Sequence, residues 1–544
     1  MYSQTAVGRP PSYAPNGMVS TPHTLATSSG LNALRQGGSA VDAAIAANAT
    51  TCVAYPHMSG LGGDGFWLLA DQNGSAIGLN ASGPAGSQAT RSVYDDVDTI
   101  PERGARAALT VPGAVDGWRL AHAEYGRLPW EALFTDAIEL ARDGVPVTGT
   151  LAYWINHNES MLAADNRARE TFLSDGTPLT RGERLRQPDL ADSLSAIATE
   201  GPRAGFYQGA LAERFCAGLD GSPLQAADFS AYQADWVDPI SVTYGDYTVL
   251  GLPPNSQGLA TLEILGLLDG FDVTAWGDGT VDYYHHLTEI IKLAFADRDA
   301  WVTDPETVTV PTAKLLSEAY LTTRRNRIRT ETALPPTPAP GLSPPSVSPG
   351  ERPTGRDTCA FSVVDADGLA VSMIQSIYFD FGSGVVAGET GIIPQNRGSS
   401  FSLDPDNINT LAPGKRPFHT LTPILLTDMG VPRLVCGAKG GEGQPQTLAA
   451  LVSRVVDFGY SVQAAIEAPR WVFGRTWGAE SESLSVEGRV PDGVVAGLES
   501  RGHTVSVGRN YDETMGHAQA IYIHPNGTLE GGADPRGDGA AIGY

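Results

Sequence analysis

Hydrophobic and polar positions follow two periodicities along the chain, one typical of helices and one typical of strands. Helical spacing covers three stretches, residues 22–54, 113–220 and 281–300. The first stretch is interrupted at Gly37-Gly38, which predicts two helices joined by a glycine turn. The segment 66–79 predicts a β-hairpin that turns at Asn73-Gly74. The first part of the chain therefore combines helices with at least one hairpin.

A proline- and serine-rich segment divides the pattern. Residues 333–354 contain too many prolines for a helix or a central strand, so they predict an extended, flexible segment. This segment runs directly into a strong hairpin, whose two apolar arms surround residues 365–368 and whose first strand residue is Thr358. Strands then alternate with helices to the end of the chain. Long mixed segments on both sides predict helices layered over two sheets, an α/β or α+β sandwich.

The composition narrows the classes of partner and compartment. The 544 residues carry a net charge of −25 without a basic stripe, so we expect no nucleic-acid partner. No stretch approaches the roughly 20 apolar residues that span a bilayer. Residues 1–17 also lack an apolar signal core, so we expect no membrane association and a cytoplasmic location. The four scattered cysteines indicate reduced thiols rather than a disulfide framework.

The junction between the proline-rich segment and the hairpin is a candidate reactive site. A threonine hydroxyl is a poor nucleophile and needs a base within hydrogen-bond reach. If the chain were cut between Asp357 and Thr358, the new α-amine, with a pKa of about 7.7–8.0, could accept the hydroxyl proton. The flexible segment in front of the junction would let the new end withdraw. Taken alone, the spacing favours an ordinary threonine at the start of a strand.

Motifs on both sides of the junction resemble those of one enzyme family. After the junction they are Thr358-Cys-Ala-Phe-Ser-Val-Val-Asp365, Phe381-Gly-Ser-Gly-Val-Val-Ala-Gly-Glu-Thr-Gly391, Lys415-Arg-Pro417 and Thr422-Pro423. Before it they are Gly37-Gly-Ser-Ala-Val-Asp-Ala-Ala44, Gly60-Leu-Gly-Gly-Asp-Gly-Phe66, Val111-Pro-Gly-Ala-Val-Asp-Gly-Trp118, Pro253-Pro-Asn-Ser-Gln-Gly258 and Ala294-Phe-Ala-Asp-Arg298. In order and spacing they resemble the small and large subunits of γ-glutamyltranspeptidases. The tail, Asp534-Pro-Arg536 with Gly543-Tyr544, resembles that family too.

The resemblance implies a fold and a processing step. The fold is α+β, a four-layer αββα sandwich of the N-terminal-nucleophile hydrolase type. Attack of the Thr358 hydroxyl on the Asp357 carbonyl would cut the precursor into a large subunit, 1–357, and a small subunit, 358–544. Both remain intertwined in one body as a heterodimer, with the flexible tail 333–357 on the large subunit. A higher oligomer is left open.

The same resemblance implies the catalytic residues. Mature Thr358 attacks a small-molecule amide, forms an acyl-enzyme and passes the acyl group to water or an amine. Ser376 matches a second hydroxyl that supports the nucleophile; otherwise it is a polar strand residue. Gly440 and Gly441 match the family's oxyanion glycines, and adjacent glycines allow the close backbone approach that such a site needs. We expect neither a cofactor nor a metal.

Six positions that hold the γ-glutamyl group in the family depart from its pattern. They are Asn80, Tyr378, Arg397, Ser400, His419 and Thr420. Asn80 stands where the family has the arginine of a carboxylate clamp. His419-Thr420 occupies the two-serine position, so one hydroxyl survives. Tyr378 replaces an amide, while Arg397 and Ser400 replace an amide and an acid, which removes the partner of a substrate ammonium group.

These departures favour an acyl group that carries a carboxylate but no α-amine, such as glutaryl or oxamyl. They resemble the cephalosporin-acylase-like and oxamate-amidohydrolase-like branches of the family. A γ-glutamyltransferase or glutathione hydrolase with different substrate contacts is the first alternative. An inactive homologue that serves as a scaffold is the second, and intact Thr358, Gly440 and Gly441 argue against it.

Two other motifs are interpreted as structural. Residues 60–65 satisfy the spacing GxGxxG, but they lead into a strand instead of opening a helix, so we expect no dinucleotide site. His285, His286 and Glu289 share one predicted helix, which supplies too few ligands for a metal without a second cluster. We interpret them as ordinary helix residues.

Overall fold

The computed structural model describes residues 8–343, 357–474 and 482–544. The strands are β1 Ser12–Ala14, β2 Met18–Thr21, β3 Asp64–Ala70, β4 Ala76–Ala81, β5 Val145–Pro146, β6 Leu173–Ser174, β7 Thr177–Pro178, β8 Arg184–Leu185, β9 Asp235–Val237, β10 Ile240–Tyr244, β11 Tyr247–Gly251, β12 Asp357–Val364, β13 Ala370–Tyr378, β14 Ile424–Asp428, β15 Val431–Ala438, β16 Trp471–Phe473, β17 Leu484–Val486, β18 Val505–Val507, β19 Ala518–Ile523, β20 Leu529–Ala533 and β21 Ala540–Gly543.

The α-helices are α1 Thr24–Arg35, α2 Ala40–Ala54, α3 Ala114–Tyr125, α4 Thr135–Asp143, α5 Gly149–His157, α6 Glu159–Ala164, α7 Asn166–Phe172, α8 Pro188–Pro202, α9 Ala210–Ala217, α10 Ala226–Ala231, α11 Gly258–Leu268, α12 Val273–Trp276, α13 Val281–Trp301, α14 Thr312–Leu315, α15 Glu318–Arg325, α16 Gln444–Val456, α17 Val462–Glu467 and α18 Asp492–Ser500. None of the helices in these ranges has the length and apolar character needed to cross a membrane.

Two large sheets organise the molecule. One has the strand order β1-β20-β19-β15-β14-β11-β10, and the other has the order β21-β2-β12-β13-β3-β4-β9. All neighbouring strands in both sheets are antiparallel. Of the two fold classes left open by the sequence pattern, this arrangement selects α+β. Each sheet contains strands from both sides of Asp357, so the two halves of the chain share both sheets.

The three largest of five apolar clusters among the described residues hold the main elements together. One joins the inward faces of the two sheets and contains Phe66 and Ile374 from one sheet with Leu425 and Val435 from the other. A second packs α2, α4 and α8 against the sheet that contains β12. The third packs α11, α13 and α16 against the sheet that contains β15. Because this burial removes both faces of each sheet's centre from water, β12 and β15 form a rigid support for side chains at their ends.

The first two predicted helices are confirmed, with their break at the predicted glycines. Gly37 has a φ of 89°, a conformation that favours glycine, and α1 ends just before it. Ser39 then begins α2 with a capping box, because its hydroxyl accepts from the Asp42 N–H and the Asp42 carboxylate accepts from the Ser39 N–H. Every residue of α2 is buried. The small alanine-rich surface lets α1 and β12 pack closely on this helix.

Most other predicted elements are present. The hairpins of β3 with β4 and of β12 with β13 are confirmed, and so is the helix predicted over 281–300, which is α13. The stretch 113–220 is helical but is interrupted by the short strands β5 to β8. The predicted flexible segment 333–354 lies partly outside the described residues.

Candidate active site

Thr358 and Ser376 contact the same carbonyl oxygen. The Thr358 hydroxyl donates to the Asp357 carbonyl oxygen at 2.5 Å, and the Ser376 hydroxyl donates to that oxygen at 2.5 Å. The Tyr378 N–H donates to the Ser376 oxygen at 2.8 Å, which fixes the serine rotamer. The site is buried, since Thr358 is 1% exposed. Two hydroxyls are thus held on the carbonyl of the peptide bond that precedes Thr358.

The backbone around Thr358 is irregular, although β12 lies in the centre of its sheet. Asp357 pairs with Tyr378 and Cys359 pairs with Gln375, so the register shifts across Thr358. A bulge of this kind redirects one side chain out of the regular ladder. Tyr378, at the end of β13, has a φ of 83°, which is uncommon for a residue with a Cβ atom. The start of β12 and the end of β13 therefore depart from regular strand geometry at the candidate site.

Gln444 is a residue near the nucleophile that the sequence interpretation missed. Its Nε2 lies 3.5 Å from the Thr358 hydroxyl oxygen, and its Oε1 accepts from the Thr422 N–H at 3.1 Å. Gln444 is the first residue of α16 and follows the 3₁₀ turn Gly441–Gly443. The available signal was the position of Gln444 directly after a glycine-rich turn and before Pro445 at the start of a helix.

The glycine pair predicted to form an oxyanion site lies on that same turn. Gly440 has a φ of 134° and Gly441 has a φ of 53°, values that residues with a Cβ atom rarely adopt. The Gln257 amide donates to the Gly441 carbonyl oxygen at 2.9 Å, and Arg298 donates to the Gln257 oxygen at 3.2 Å. The turn is thereby held in a fixed conformation. It leads into Gln444, which brings it next to Thr358.

Arg397 is a buried cation with unused donors. It is 1% exposed, and its Nη2 donates to the Thr420 hydroxyl oxygen at 2.9 Å. Among the described residues, its Nε and Nη1 have no hydrogen-bond partner. Burial lowers the pKa of Arg397 to about 10, so the guanidinium remains charged near neutral pH. A buried cation with free N–H groups is a binding site for an anion.

Ser400 lies on the same side of the 3₁₀ helix Arg397–Ser400 as Arg397. Residues three apart eclipse one another in such a helix, so the two side chains share one face. The Ser400 hydroxyl is buried and lacks a hydrogen-bond partner among the described residues. The predicted substrate residues Arg397, Ser400, Tyr378 and Thr420 are therefore brought together.

His419 and Asp64 form a buried pair close to Arg397. The His419 Nε2 lies 3.2 Å from the Asp64 Oδ2, and both side chains are buried. Burial lowers the pKa of His419 well below its ordinary range, with the Arg397 charge acting in the same direction. Burial also raises the pKa of Asp64 to about 7, against hydrogen bonds from Gly83 and Gln395. Near neutral pH, His419 is therefore uncharged and Asp64 is partly ionised, while Arg397 carries a positive charge beside them.

The Asn80 side-chain amide is engaged by neighbouring residues. Its Nδ2 donates to the Asn255 oxygen at 2.9 Å. Its Oδ1 accepts from the Ser82 N–H at 3.0 Å and from the Ser82 hydroxyl at 2.6 Å. Asn255 in turn accepts from the His419 N–H through its carbonyl at 2.9 Å. These contacts describe a residue that supports the His419 segment, in addition to any contact with a substrate.

His285 and Glu289, which the sequence pattern indicates are ordinary helix residues, lie next to a histidine from another part of the chain. His285 and Glu289 lie with His503, and their potential ligand atoms are within 4.8 Å of one another. His285 Nδ1 and His503 Nε2 are hydrogen-bonded at 2.8 Å, while Lys292 donates to Glu289 at 2.6 Å. His503 is far away in sequence, so sequence spacing could not indicate it. With a lysine ammonium already bound to the carboxylate, the group is a hydrogen-bonded network.

Known proteins are similar to this chain over nearly its whole length. The family model described as Gamma-glutamyltranspeptidase matches residues 26–544. The glutathione hydrolase-like YwrD proenzyme of Bacillus subtilis is 45% identical over 529 residues, with 97% of this chain and 98% of the relative covered. The oxamate amidohydrolase proenzyme of Klebsiella pneumoniae is 45% identical over 540 residues, with 97% and 98% covered.

A solved structure gives the same result at the level of the fold. The cephalosporin acylase from Bacillus halodurans superimposes with a TM-score of 0.90 at 38% identity, and the alignment covers 100% of this chain and 98% of that one. The match spans both large sheets and the buried residues around Thr358. The chain therefore belongs to the γ-glutamyltranspeptidase family, as an amide-hydrolysing enzyme of the N-terminal-nucleophile type.

Proposed function

We propose that the chain is a precursor that cuts itself between Asp357 and Thr358 and then uses Thr358 to hydrolyse amides whose acyl group carries a carboxylate. The observation that carries this proposal is the pair of hydroxyls, from Thr358 and Ser376, at 2.5 Å from the Asp357 carbonyl oxygen. One of these hydroxyls is a nucleophile beside its target. The other donates to the oxygen on which negative charge would develop.

In the cleavage step, the Thr358 oxygen forms a bond to the Asp357 carbonyl carbon. The peptide C–N bond then breaks, and the Thr358 nitrogen gains the proton that the hydroxyl loses. Water hydrolyses the resulting ester, which leaves a carboxylate on Asp357 and frees the Thr358 hydroxyl and α-amine. The products are chains 1–357 and 358–544, which stay together because they share both sheets. We further propose that the layers of helix and sheet form a four-layer αββα sandwich.

In the mature enzyme, the α-amine of Thr358 serves as the base for its own hydroxyl. The hydroxyl attacks the substrate carbonyl, the amine product leaves, and an acyl-enzyme ester remains until water or a second amine removes the acyl group. Gly440 and Gly441 supply backbone N–H groups for the anionic intermediate. The Gln444 amide, 3.5 Å from the Thr358 oxygen, orients the nucleophile.

The charge of the acyl site favours a carboxylate. The Nε and Nη1 groups of Arg397 lack partners among the described residues, and the neighbouring Thr420 and Ser400 hydroxyls add further donors. A carboxylate would satisfy these donors in a buried site, where charged hydrogen bonds are strongest. No acidic side chain stands at Ser400 to bind an ammonium group, so a γ-glutamyl group is less well matched.

The relatives are consistent with this substrate class. The Klebsiella relative is named for oxamate, which joins an amide directly to a carboxylate, and the aligned structure is that of a cephalosporin acylase. Because another relative is described as glutathione hydrolase-like, a γ-glutamyl amide is one of the substrates to be tested. We assign the protein to the cytoplasm as part of the proposal, because Cys52, Cys216, Cys359 and Cys436 are all free.

The test compares three substrates with a common leaving amine. Purified, processed enzyme is assayed with oxamyl, glutaryl and γ-glutamyl amides, and kcat/KM is measured for each. We expect one of the two acyl groups without an α-amine to give the highest value. A preference for the γ-glutamyl amide would overturn the acyl-group proposal, and absence of turnover with an uncut chain would support a scaffold.

A further inference from the structure

Lys439 is a buried lysine next to the junction and directly before the glycine turn. Its side chain is 1% exposed. The Nζ atom lies 3.3 Å from the Asp357 Oδ1 and 3.0 Å from the Glu513 Oε1. No sequence motif indicated a role for Lys439. In the structure it contacts the side chain of Asp357, the residue whose main-chain carbonyl oxygen accepts from the Thr358 and Ser376 hydroxyls.

Asp357 is costly to hold in this position. Burial raises the pKa of its carboxyl group to about 7, and Asp380 and Glu513 act in the same direction, whereas Lys439 opposes them. Asp380 has its own partner, Arg103, at 3.2 Å. Among the residues that the structure describes, Lys439 is therefore the cation that contacts the Asp357 carboxylate. Without it, a buried carboxylate would remain uncompensated.

Lys439 is itself held by a second carboxylate, that of Glu513. The Glu513 carboxylate accepts from Lys439 and also from the Trp154 indole N–H at 2.8 Å. The neighbouring imidazoles of His57 and His517 stay neutral near pH 7, because burial and the Lys439 charge lower their pKa values. The ammonium group is thus preorganised by Glu513 and is available to the Asp357 side chain.

We propose that Lys439 is a positioning residue for self-cleavage. By anchoring the Asp357 carboxylate it fixes the orientation of the scissile carbonyl against the hydroxyls of Thr358 and Ser376. It also offsets the carboxylate charge, which would otherwise repel the oxyanion that forms on the same residue. This inference rests on the proposed cleavage at the 357–358 bond.

The experiment is a double-mutant cycle on the rate of self-cleavage. Wild type, Lys439→Met, Asp357→Asn and the double variant are refolded, and the loss of the uncut band is followed on denaturing gels. We expect Lys439→Met to slow cleavage about tenfold or more, because the Asp357 carboxylate loses a buried ion-pair partner. In the Asp357→Asn background, which has no carboxylate to offset, the same change should slow cleavage less than about threefold.

Two further variants separate positioning from general stability. Lys439→Arg keeps the charge and should cleave within about fivefold of the wild type. Lys292→Met removes another buried lysine, paired with Glu289 at 2.6 Å, and should leave the rate unchanged in molecules that fold. Folded protein is isolated by size exclusion before each time course. If Lys439→Met does not fold, the Asp357→Asn pair and Lys439→Arg still decide the question.

The outcomes distinguish this inference from the function on which it rests. Equal rates for Lys439→Met and wild type would overturn the role of Lys439. So would a loss that is as large in the Asp357→Asn background as in the wild-type background. If folded wild type is never cut, the proposed function itself fails. If wild type is cut and the cycle is additive, only the inference about Lys439 fails.

Discussion

The guanidinium carbon of Arg397 lies 3.5 Å from the centre of the Tyr378 ring. Tyr378 ends the strand that carries Ser376, so the residue under the cation is two positions from the hydroxyl beside the nucleophile. The stacked ring satisfies one face of the guanidinium through a cation–π contact and leaves N–H groups in its plane for an anion. Tyr378, which stacks on Arg397, and Ser376, which lies beside the nucleophile, are therefore both at the end of β13.

Replacing Arg397 with methionine should weaken binding of acyl groups that carry a carboxylate. The lost charged hydrogen bonds correspond to about 1.5–3 kcal/mol, so we expect KM to rise roughly 10- to 100-fold. The measurement is steady-state hydrolysis of the best carboxylate-bearing amide. An acetyl amide with the same leaving group is the control, and its kcat/KM should not fall. A parallel loss for both substrates would contradict a role in carboxylate binding.

Replacing Thr358 with alanine should abolish self-cleavage, because no nucleophile remains at the junction. The folded variant should appear as one band at 57.1 kDa on a denaturing gel, whereas wild type should give two. Thr358→Ser is the matched variant, since it retains a hydroxyl and should still be cut. N-terminal sequencing of the smaller wild-type fragment should begin at Thr358. A cut alanine variant, or another starting residue, would refute the assigned cleavage site.

Replacing Ser376 with alanine should slow self-cleavage about 10²-fold, the typical effect of removing one donor to an oxyanion. Ser372 provides the matched control, because it lies on the same strand and its hydroxyl donates to the Cys436 carbonyl at 2.9 Å instead. Ser372→Ala should cleave at close to the wild-type rate. Time courses of refolded precursor on denaturing gels give both rates. Equal slowing in the two variants would indicate a general effect on packing.

The sequence predicted the local elements well because their signals are local. The glycines and Ser39 that separate α1 from α2 are adjacent in the chain, and so are the two arms of the hairpin that begins at Asp357. Pairing between distant strands carries no such signal. β2, which contains Ser20, pairs with both β12 and β21, and these partners lie more than 300 residues away.

The residues of the candidate site also fall into two groups, those that a sequence motif indicates and those that only the folded structure identifies. Thr358, Ser376 and the glycine pair were predicted because they stand in motifs that resemble a known family. Lys439, Gln444 and Asp64 were not assigned roles, although they lie in or beside those motifs. Their importance depends on burial and on charge partners from distant segments, such as Glu513 for Lys439. The lack of partners for the Arg397 Nε and Nη1 groups among the described residues is likewise a property of the folded molecule alone.

The buried Asp64 carboxyl group should make stability depend on pH. Burial raises its pKa from the ordinary value of 3.8 to about 7, although hydrogen bonds and the Arg397 charge oppose this shift. Between these two values the folded state holds a proton that the unfolded state has lost. The contribution of Asp64 to the free energy of unfolding must therefore fall as pH rises from about 4 to 7, by at most about 1.4 kcal/mol per pH unit.

The Asp64→Asn variant removes this titration and keeps a side chain of similar shape. Urea unfolding of uncut protein at several pH values, with Thr358→Ala as the common background, gives the free energy of unfolding for both chains. The advantage of aspartate over asparagine at position 64 should be largest near pH 4 and should decline toward pH 7. The lowered pKa of His419 makes its own contribution to stability rise with pH, but His419 is present in both chains and this contribution cancels in the difference between them. Parallel curves for the two chains would show that the Asp64 carboxyl group titrates alike in the folded and unfolded states.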